Sequence, residues 1–232
     1  MTPFLIEAIE VLVCADQWSA TPEYNELVDA EWENMLIDAK NSIWDGAYYR
    51  VVNANELETR SQPGLMRLGT IRYRYIATFP ALHRHHSRLG LDLLYHLSTA
   101  ALIRTTDGYY LFGRRARNGL IGLIGGGAQA DELVISGGPS LKQKLYKEIH
   151  EEVGIYEGDI EELAGIGIVL SETSNVLIIG LARTGLSKSD AMARFGQRTE
   201  DEMAEPVFVH EDKLRCFLQD MTGYRKLIPG LL

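Results

Sequence analysis

An α/β fold is what the order of elements in this sequence predicts. Short aromatic and β-branched runs, bounded by tight-turn signals, read as strands and alternate with helical patterns. The clearest helix starts at Ser140 and places Leu141, Leu145, Ile149 and Val153 on one stripe. Strand-like runs stand on both sides of it in the chain.

Residues 25–40 carry a helical pattern that ends near Asn41-Ser42. Residues 46–52 follow a Trp-Asp-Gly turn and are rich in aromatic and β-branched side chains, which predicts a strand. Ser61-Gln62-Pro63-Gly64 is the plainest loop signal of the first half. In residues 68–76, Ile71, Tyr73 and Tyr75 alternate with Arg72 and Arg74, a strand pattern with both arginines on one face. A solvated edge explains that face equally well. His83, His85 and His86 are expected in a polar loop, because no Cys or His follows at metal-ligand spacing.

From Leu97 the elements shorten. Residues 98–104 and 109–115 form a hairpin about Thr106-Asp107-Gly108, and a glycine-rich segment follows over 119–127. Ser140 is the N-cap of the helix, with Gln143 as capping-box partner, and Gly154 ends it. Residues 164–170, 176–182 and 205–209 read as strands and 211–220 as a closing helix.

The composition of the 232 residues, 46% hydrophobic and 24% charged, is that of an ordinary globular protein. A net charge of −9 argues against a nucleic-acid backbone as main partner. Cys14 and Cys216 suggest neither a disulfide framework nor a zinc site, and no apolar run approaches a membrane span. With no basic residue before Val13, a secretory leader is not indicated, so a cytoplasmic, reduced protein is expected.

The chemistry is concentrated in Lys147-Glu148-Ile149-His150-Glu151-Glu152-Val153-Gly154-Ile155. Helical spacing makes Glu148, Glu151 and Glu152 neighbours at the edge of the buried stripe. Three like charges so placed repel, and a hard divalent cation relieves the repulsion while keeping positions for substrate phosphates. His150 falls on the solvent side.

This run resembles the Nudix box, G-x5-E-x7-R-E-U-x-E-E-x-G-U with U aliphatic. Lys147 stands at the arginine, Glu148 to Glu152 at E-U-x-E-E, and Gly126-x5-Glu132 at the opening. Fourteen residues separate Glu132 from Lys147 where the box has seven, and residues 134–139 look like the insertion, in a loop where extra length costs little. The resemblance implies a Nudix fold, an α/β/α sandwich with a mixed central β-sheet over residues 97–232, preceded by an α+β extension over 1–96. It implies Mg²⁺ or Mn²⁺ held by Glu148, Glu151 and Glu152 with a carbonyl of Gly125 or Gly126. Lys147 would orient Glu148 or Glu151, without the bidentate fork of an arginine. Glu202, with Glu200 second, is the candidate late-loop acid.

Residues 44–50, 68–74 and Thr78 are similar in order and spacing to UDP-glucose/UDP-galactose diphosphatase-like Nudix proteins, as is Gly165-Ile166-Gly167 followed by Ser171-Glu172-Thr173-Ser174. That likeness implies a nucleoside diphosphate sugar as substrate, cleaved to UMP and sugar 1-phosphate. Arg72, Arg74, Arg114, Arg115 and Arg117 are the candidate phosphate-binding cations; adjacent Arg114 and Arg115 cannot both face the site from a regular strand. ADP-ribose, a dinucleotide or a CoA-type diphosphate remains an alternative substrate, and a weakly catalytic nucleotide-binding protein an alternative class. A homodimer formed through the N-terminal region is a candidate assembly.

Overall fold

The computed structural model describes residues 4–38, 43–58, 64–131, 140–171 and 174–221. Its strands are β1 (Val11–Gln17), β2 (Ala47–Val51), β3 (Met66–Arg72), β4 (His96–Arg104), β5 (Tyr109–Arg115), β6 (Ile121–Gly122), β7 (Ile160–Ser171), β8 (Asn175–Thr184) and β9 (Met203–His210). The helices are α1 (Pro22–Asp38), α2 (Ala54–Glu58), α3 (Tyr73–Arg88), α4 (Leu141–Val153), α5 (Lys188–Phe195) and α6 (Glu211–Asp220).

All nine strands join one mixed sheet. β4 runs parallel to β8 and antiparallel to β5, while β7 pairs antiparallel with β8 and β9 with β5. β2 carries the sheet onward, pairing with β4 at Arg50–His96 and with β3 along its length. The sheet therefore crosses residue 96, where the extension was expected to end, without a break.

Strand alternation sends successive β4 side chains to opposite faces. Leu97, Ala101 and Ile103 pack with the α4 stripe Leu141, Leu145, Ile149 and Val153. Ala100 and Leu102 pack on the other face with Leu214 and Leu218 of α6. The core is thus helix, sheet, helix, as expected. Each fully buried leucine or valine contributes about 1.5–3 kcal/mol relative to exposure, so the four-residue stripe fixes the rotation of α4 about its axis. Ser140 Oγ accepts the Gln143 backbone N–H at 3.3 Å, and Gly154 closes the helix at φ 73°. A Cβ there would sit 2.0 Å from the Arg194 carbonyl oxygen.

Two expectations fail in the first half. The strand expected over 68–76 stops at Arg72, and residues from Tyr73 begin α3. Asp45 explains the switch: its carboxylate accepts the Arg74 backbone N–H at 2.9 Å and the Arg74 Nε at 2.6 Å. Past that point Phe79, Leu82 and His86 are buried at helical spacing beside Trp18, Tyr24 and Val28. The histidines consequently lie on α3 rather than in a loop. His86 is buried and stacks on Trp18 with ring centroids 6.2 Å apart. The first helix begins earlier than expected, with Pro22 in its first turn, where a missing N–H costs nothing.

Among the described residues no helix is long and apolar enough to cross a membrane. Glu132 and the expected insertion at 134–139 lie outside the described residues, as do Asn41-Ser42, Ser61 to Pro63 and Glu172-Thr173.

Candidate active site

The rotation that buries the α4 stripe carries two glutamates inward with it. Glu152 is 1% exposed and Glu148 7% exposed, while the Glu151 side chain stays partly open. They face the glycine loop after β6. That loop lies along β4 through Thr99 N–H to the Gly126 carbonyl (3.0 Å) and Ala101 N–H to the Ile124 carbonyl (2.7 Å).

Only glycine permits this approach. Gly125 has φ 152°, and a Cβ there would meet the Thr99 carbonyl oxygen at 2.1 Å; one on Gly126 would lie 2.9 Å from both carboxylate oxygens of Glu148. The Gly125 N–H in turn donates to Glu152 Oε2 at 2.7 Å.

Arg115, at the end of β5, joins the loop to the late acidic segment. Its Nη1 donates to Glu202 Oε2 at 2.8 Å and stands 3.9 Å from Glu152 Oε1, and its Nη2 reaches the Gly125 carbonyl at 3.4 Å. Burial pushes the Glu152 carboxyl up to about 8; Arg115 opposes that shift, and Glu148 and Glu202 reinforce it. The Thr199 and Glu200 N–H groups donate to the Glu151 carbonyl at 3.1 and 3.0 Å, docking the late loop on the end of α4. Burial, then the charges of Glu151 and Glu202, also push Glu200 up. Glu200 is therefore held on α4 through its backbone, and Glu202 is linked to Glu152 through Arg115.

Lys147 pairs with Glu151 at 3.7 Å on the partly exposed side of the helix. Lys144, not singled out by the sequence, is 4% exposed with its Nζ 2.5 Å from Glu148 Oε1. Its burial depends on what packs over α4, so spacing alone gave no signal for it.

Among the described residues, no three His, Cys, Asp or Glu side chains are gathered tightly enough to grip a metal ion as they stand. The donors nevertheless suit a hard cation: two buried carboxylates close enough to disfavour each other's charge, beside a loop whose missing Cβ leaves Glu148 room.

The cleft in front of the glycine loop encloses about 370 Å³ and opens beside a second of about 740 Å³; Tyr73, Arg115 and Glu202 line both. Tyr48 and Tyr73 stack at 5.1 Å along the first. Thr99 Oγ1 and Asn175 Oδ1, also on its wall, are buried with no hydrogen-bond partner among the described residues. Arg117 lines the second cavity.

The remaining candidate cations go elsewhere. Arg114 faces away from Arg115, paired with Glu205 and donating to the Gly119 carbonyl at 3.1 Å. Arg72 and Arg74 clamp Asp45 at 3.0 and 2.6 Å, and Arg74 also holds Asp29 at 2.8 Å. Burial alone would raise Asp45, but the Arg74 backbone N–H and the two guanidinium groups hold it low. These three arginines line neither cavity.

His96 borders the first cavity, its Nδ1 3.0 Å from the Ser174 carbonyl. Burial pushes it down to about 4, against the opposing hydrogen bond. Between the ordinary value of 6.5 and about 4, the unfolded chain takes up a proton that the folded chain refuses. Stability is expected to fall as pH drops through that window, and His96→Gln to flatten the fall. Urea midpoints at the two ends of the window check this; equal slopes for both proteins would exclude His96 as the cause.

No protein-family model matches the chain, and no curated protein does. Solved structures similar to it include a MutT protein from Methanosarcina mazei Go1, 26% identical, covering 59% of this chain and 92% of that one, with a TM-score of 0.40. The NUDIX domain of Shewanella oneidensis NrtR, complexed with ADP ribose, is 13% identical over 66% of this chain and 94% of that one, TM-score 0.42. An ADP-ribose pyrophosphatase from Streptococcus suis 89-1591 is 21% identical over 50% and 75%, TM-score 0.35. At these scores the case for a function is carried by the residues of the cleft.

Proposed function

We propose that this chain is a Nudix hydrolase, a Mg²⁺-dependent diphosphatase whose substrate is a nucleoside diphosphate sugar of the UDP-glucose or UDP-galactose type. The supporting observation is the pair of buried carboxylates, Glu148 and Glu152, under the Gly125–Gly126 turn, with Arg115 bridging to Glu202.

In this reading Glu148, Glu151 and Glu152, with a carbonyl of Gly125 or Gly126, hold Mg²⁺ or Mn²⁺. A bound ion supplies charge neutralisation at the diphosphate oxygens. Arg115 turns its guanidinium from Glu202 toward a phosphate oxygen, and Arg117 meets the distal phosphate in the wider cavity. Glu202, once Arg115 has left it, or Glu200 beside it, takes a proton from the water that attacks phosphorus. One P–O bond forms and the bridging P–O bond breaks, giving UMP and sugar 1-phosphate. Tyr48 and Tyr73 provide an aromatic wall for a planar base, and the unpaired Thr99 and Asn175 oxygens provide polar contacts at its edge.

The same parts serve ADP-ribose, a dinucleotide or a CoA-type diphosphate, so substrate choice is settled by turnover. Purified protein with Mg²⁺ and a panel of UDP-sugars, ADP-ribose and CoA is expected to release phosphomonoester fastest from a UDP-sugar. ADP-ribose turned over far faster would sink the sugar assignment. No turnover of any compound would leave a nucleotide-binding protein without catalysis.

A further inference from the structure

The α4 helix carries two lysine–glutamate pairs at the same four-residue spacing, in very different surroundings. Lys147–Glu151 is 3.7 Å apart, with its lysine side chain 41% exposed. Lys144–Glu148 is 2.5 Å apart with both residues buried. An exposed pair in this order, lysine before glutamate, adds little to a helix. A buried pair pays desolvation on both ions, and a pair of apolar side chains of similar volume would often serve the fold as well. Stability therefore does not account for an ion pair here, and with it a lysine at 144. Its contact does: the partner is the carboxylate that the glycine loop was shaped to admit, 2.9 Å from where a Gly126 Cβ would stand.

We propose that Lys144 is a resident counter-cation of Glu148. Its ammonium supplies at that carboxylate the positive charge a divalent ion would otherwise bring. A metal must displace it, and residue 144 sets the ion concentration at which the site fills. This rests on the metal site proposed above, in which Glu148 is a ligand; Lys144 is a positioning residue and touches no substrate. When the ion enters, Lys144 keeps its proton and moves off Glu148, so the exchange involves no proton transfer and no covalent bond.

The test is a Mn²⁺ titration followed by the electron paramagnetic resonance of the free ion, on wild type, K144M, K144M/E148Q and E152Q. K144M is expected to bind Mn²⁺ at least about tenfold more tightly, since a unit charge a few ångströms from the ligand is removed. Its thermal midpoint should also rise more on adding Mn²⁺ than that of wild type, because the ion restores at Glu148 the positive charge that the substitution removed. K144M/E148Q should lose that gain.

Equal affinity in wild type and K144M, with E152Q losing the ion, would overturn the proposal and leave the metal site standing. A gain that survives in K144M/E148Q would overturn it too, by making the effect one of net charge. Absence of Mn²⁺ binding in wild type and K144M alike would overturn both. If K144M does not fold, K144Q and the charge-keeping K144R take its place: K144Q is expected to bind tighter and K144R to match wild type, and indistinguishable affinities would refute the role.

Discussion

Glu152→Gln is expected to lower turnover of the preferred diphosphate by on the order of a thousandfold or more while the protein stays folded. The substitution keeps size and shape, and the amide oxygen still accepts the Gly125 N–H that Glu152 now receives at 2.7 Å. What disappears is the negative charge that a divalent ion would neutralise. The fold should gain rather than lose. Glu152 sits at about 8 because it is buried, with Arg115 opposing and Glu148 and Glu202 adding to the shift. Between its ordinary 4.5 and about 8, the unfolded chain releases a proton that the folded chain retains. Metal-free wild type should therefore lose stability as pH rises through that window, and Glu152→Gln should remove this component of the loss. Steady-state kinetics and thermal melts across that range read both effects. Full activity in the variant would remove Glu152 from the metal set; an unchanged pH slope would show that its burial is not what the fold works against.

Gly125→Ala should be the most damaging single substitution for the fold around the site. Its Cβ would stand 2.1 Å from the Thr99 carbonyl oxygen and 2.6 Å from the Ala100 Cα, backbone atoms that no rotamer change can move. The loop would have to lift off β4, stretching the bonds from Thr99 N–H to the Gly126 carbonyl and from Ala101 N–H to the Ile124 carbonyl. The cost is about 3 kcal/mol, from overpacking and a φ that alanine resists, or a fall of roughly 6–12 °C in Tm for a chain of this size. Glu152 would lose its backbone donor at the same time, so activity should fall with stability. Gly158→Ala is the control, since a Cβ there meets nothing within 4 Å. A Gly125→Ala protein melting with wild type would show that the loop is not held against β4.

The parts of the fold that were legible in sequence are those decided by local pattern. The four-residue repeat from Leu141 to Val153 fixed both the existence of α4 and which face it buries, and Ser140 and Gly154 marked its ends. The hairpin about Asp107-Gly108 was equally local. Residues 73–76 were not, because alternation over five residues also fits the start of a helix. The choice was made by Asp45, 29 residues away in sequence from Arg74. The same limit applies to the cations. Alternation said that Arg114 and Arg115 diverge, but which one faces the cleft depends on the β5–β9 register, where Arg114 opposes Glu205 and Arg115 opposes Met203. Lys144 carries no signal in the spacing at all; only the packing above it makes it a buried ion.

The unbroken sheet has a consequence for how the two halves of the chain are inherited together. Tyr48 and Tyr73 come from the first half and line one cleft with Gly125 to Gly127 of the second. The proposed phosphate-cleaving parts and the proposed base-facing wall thus belong to opposite sides of a seam stitched at Arg50–His96. Trading the first half for another would exchange the wall and also strip apolar cover from the glutamate helix, whose stripe shares its core with Ile6, Ile9 and Tyr49. In the proposed function the aromatic wall is the contribution of the first half and the glutamate helix that of the second, and they are held together by one shared core and by backbone bonds such as Tyr49 N–H to the Ala128 carbonyl and Ala130 N–H to the Ala47 carbonyl.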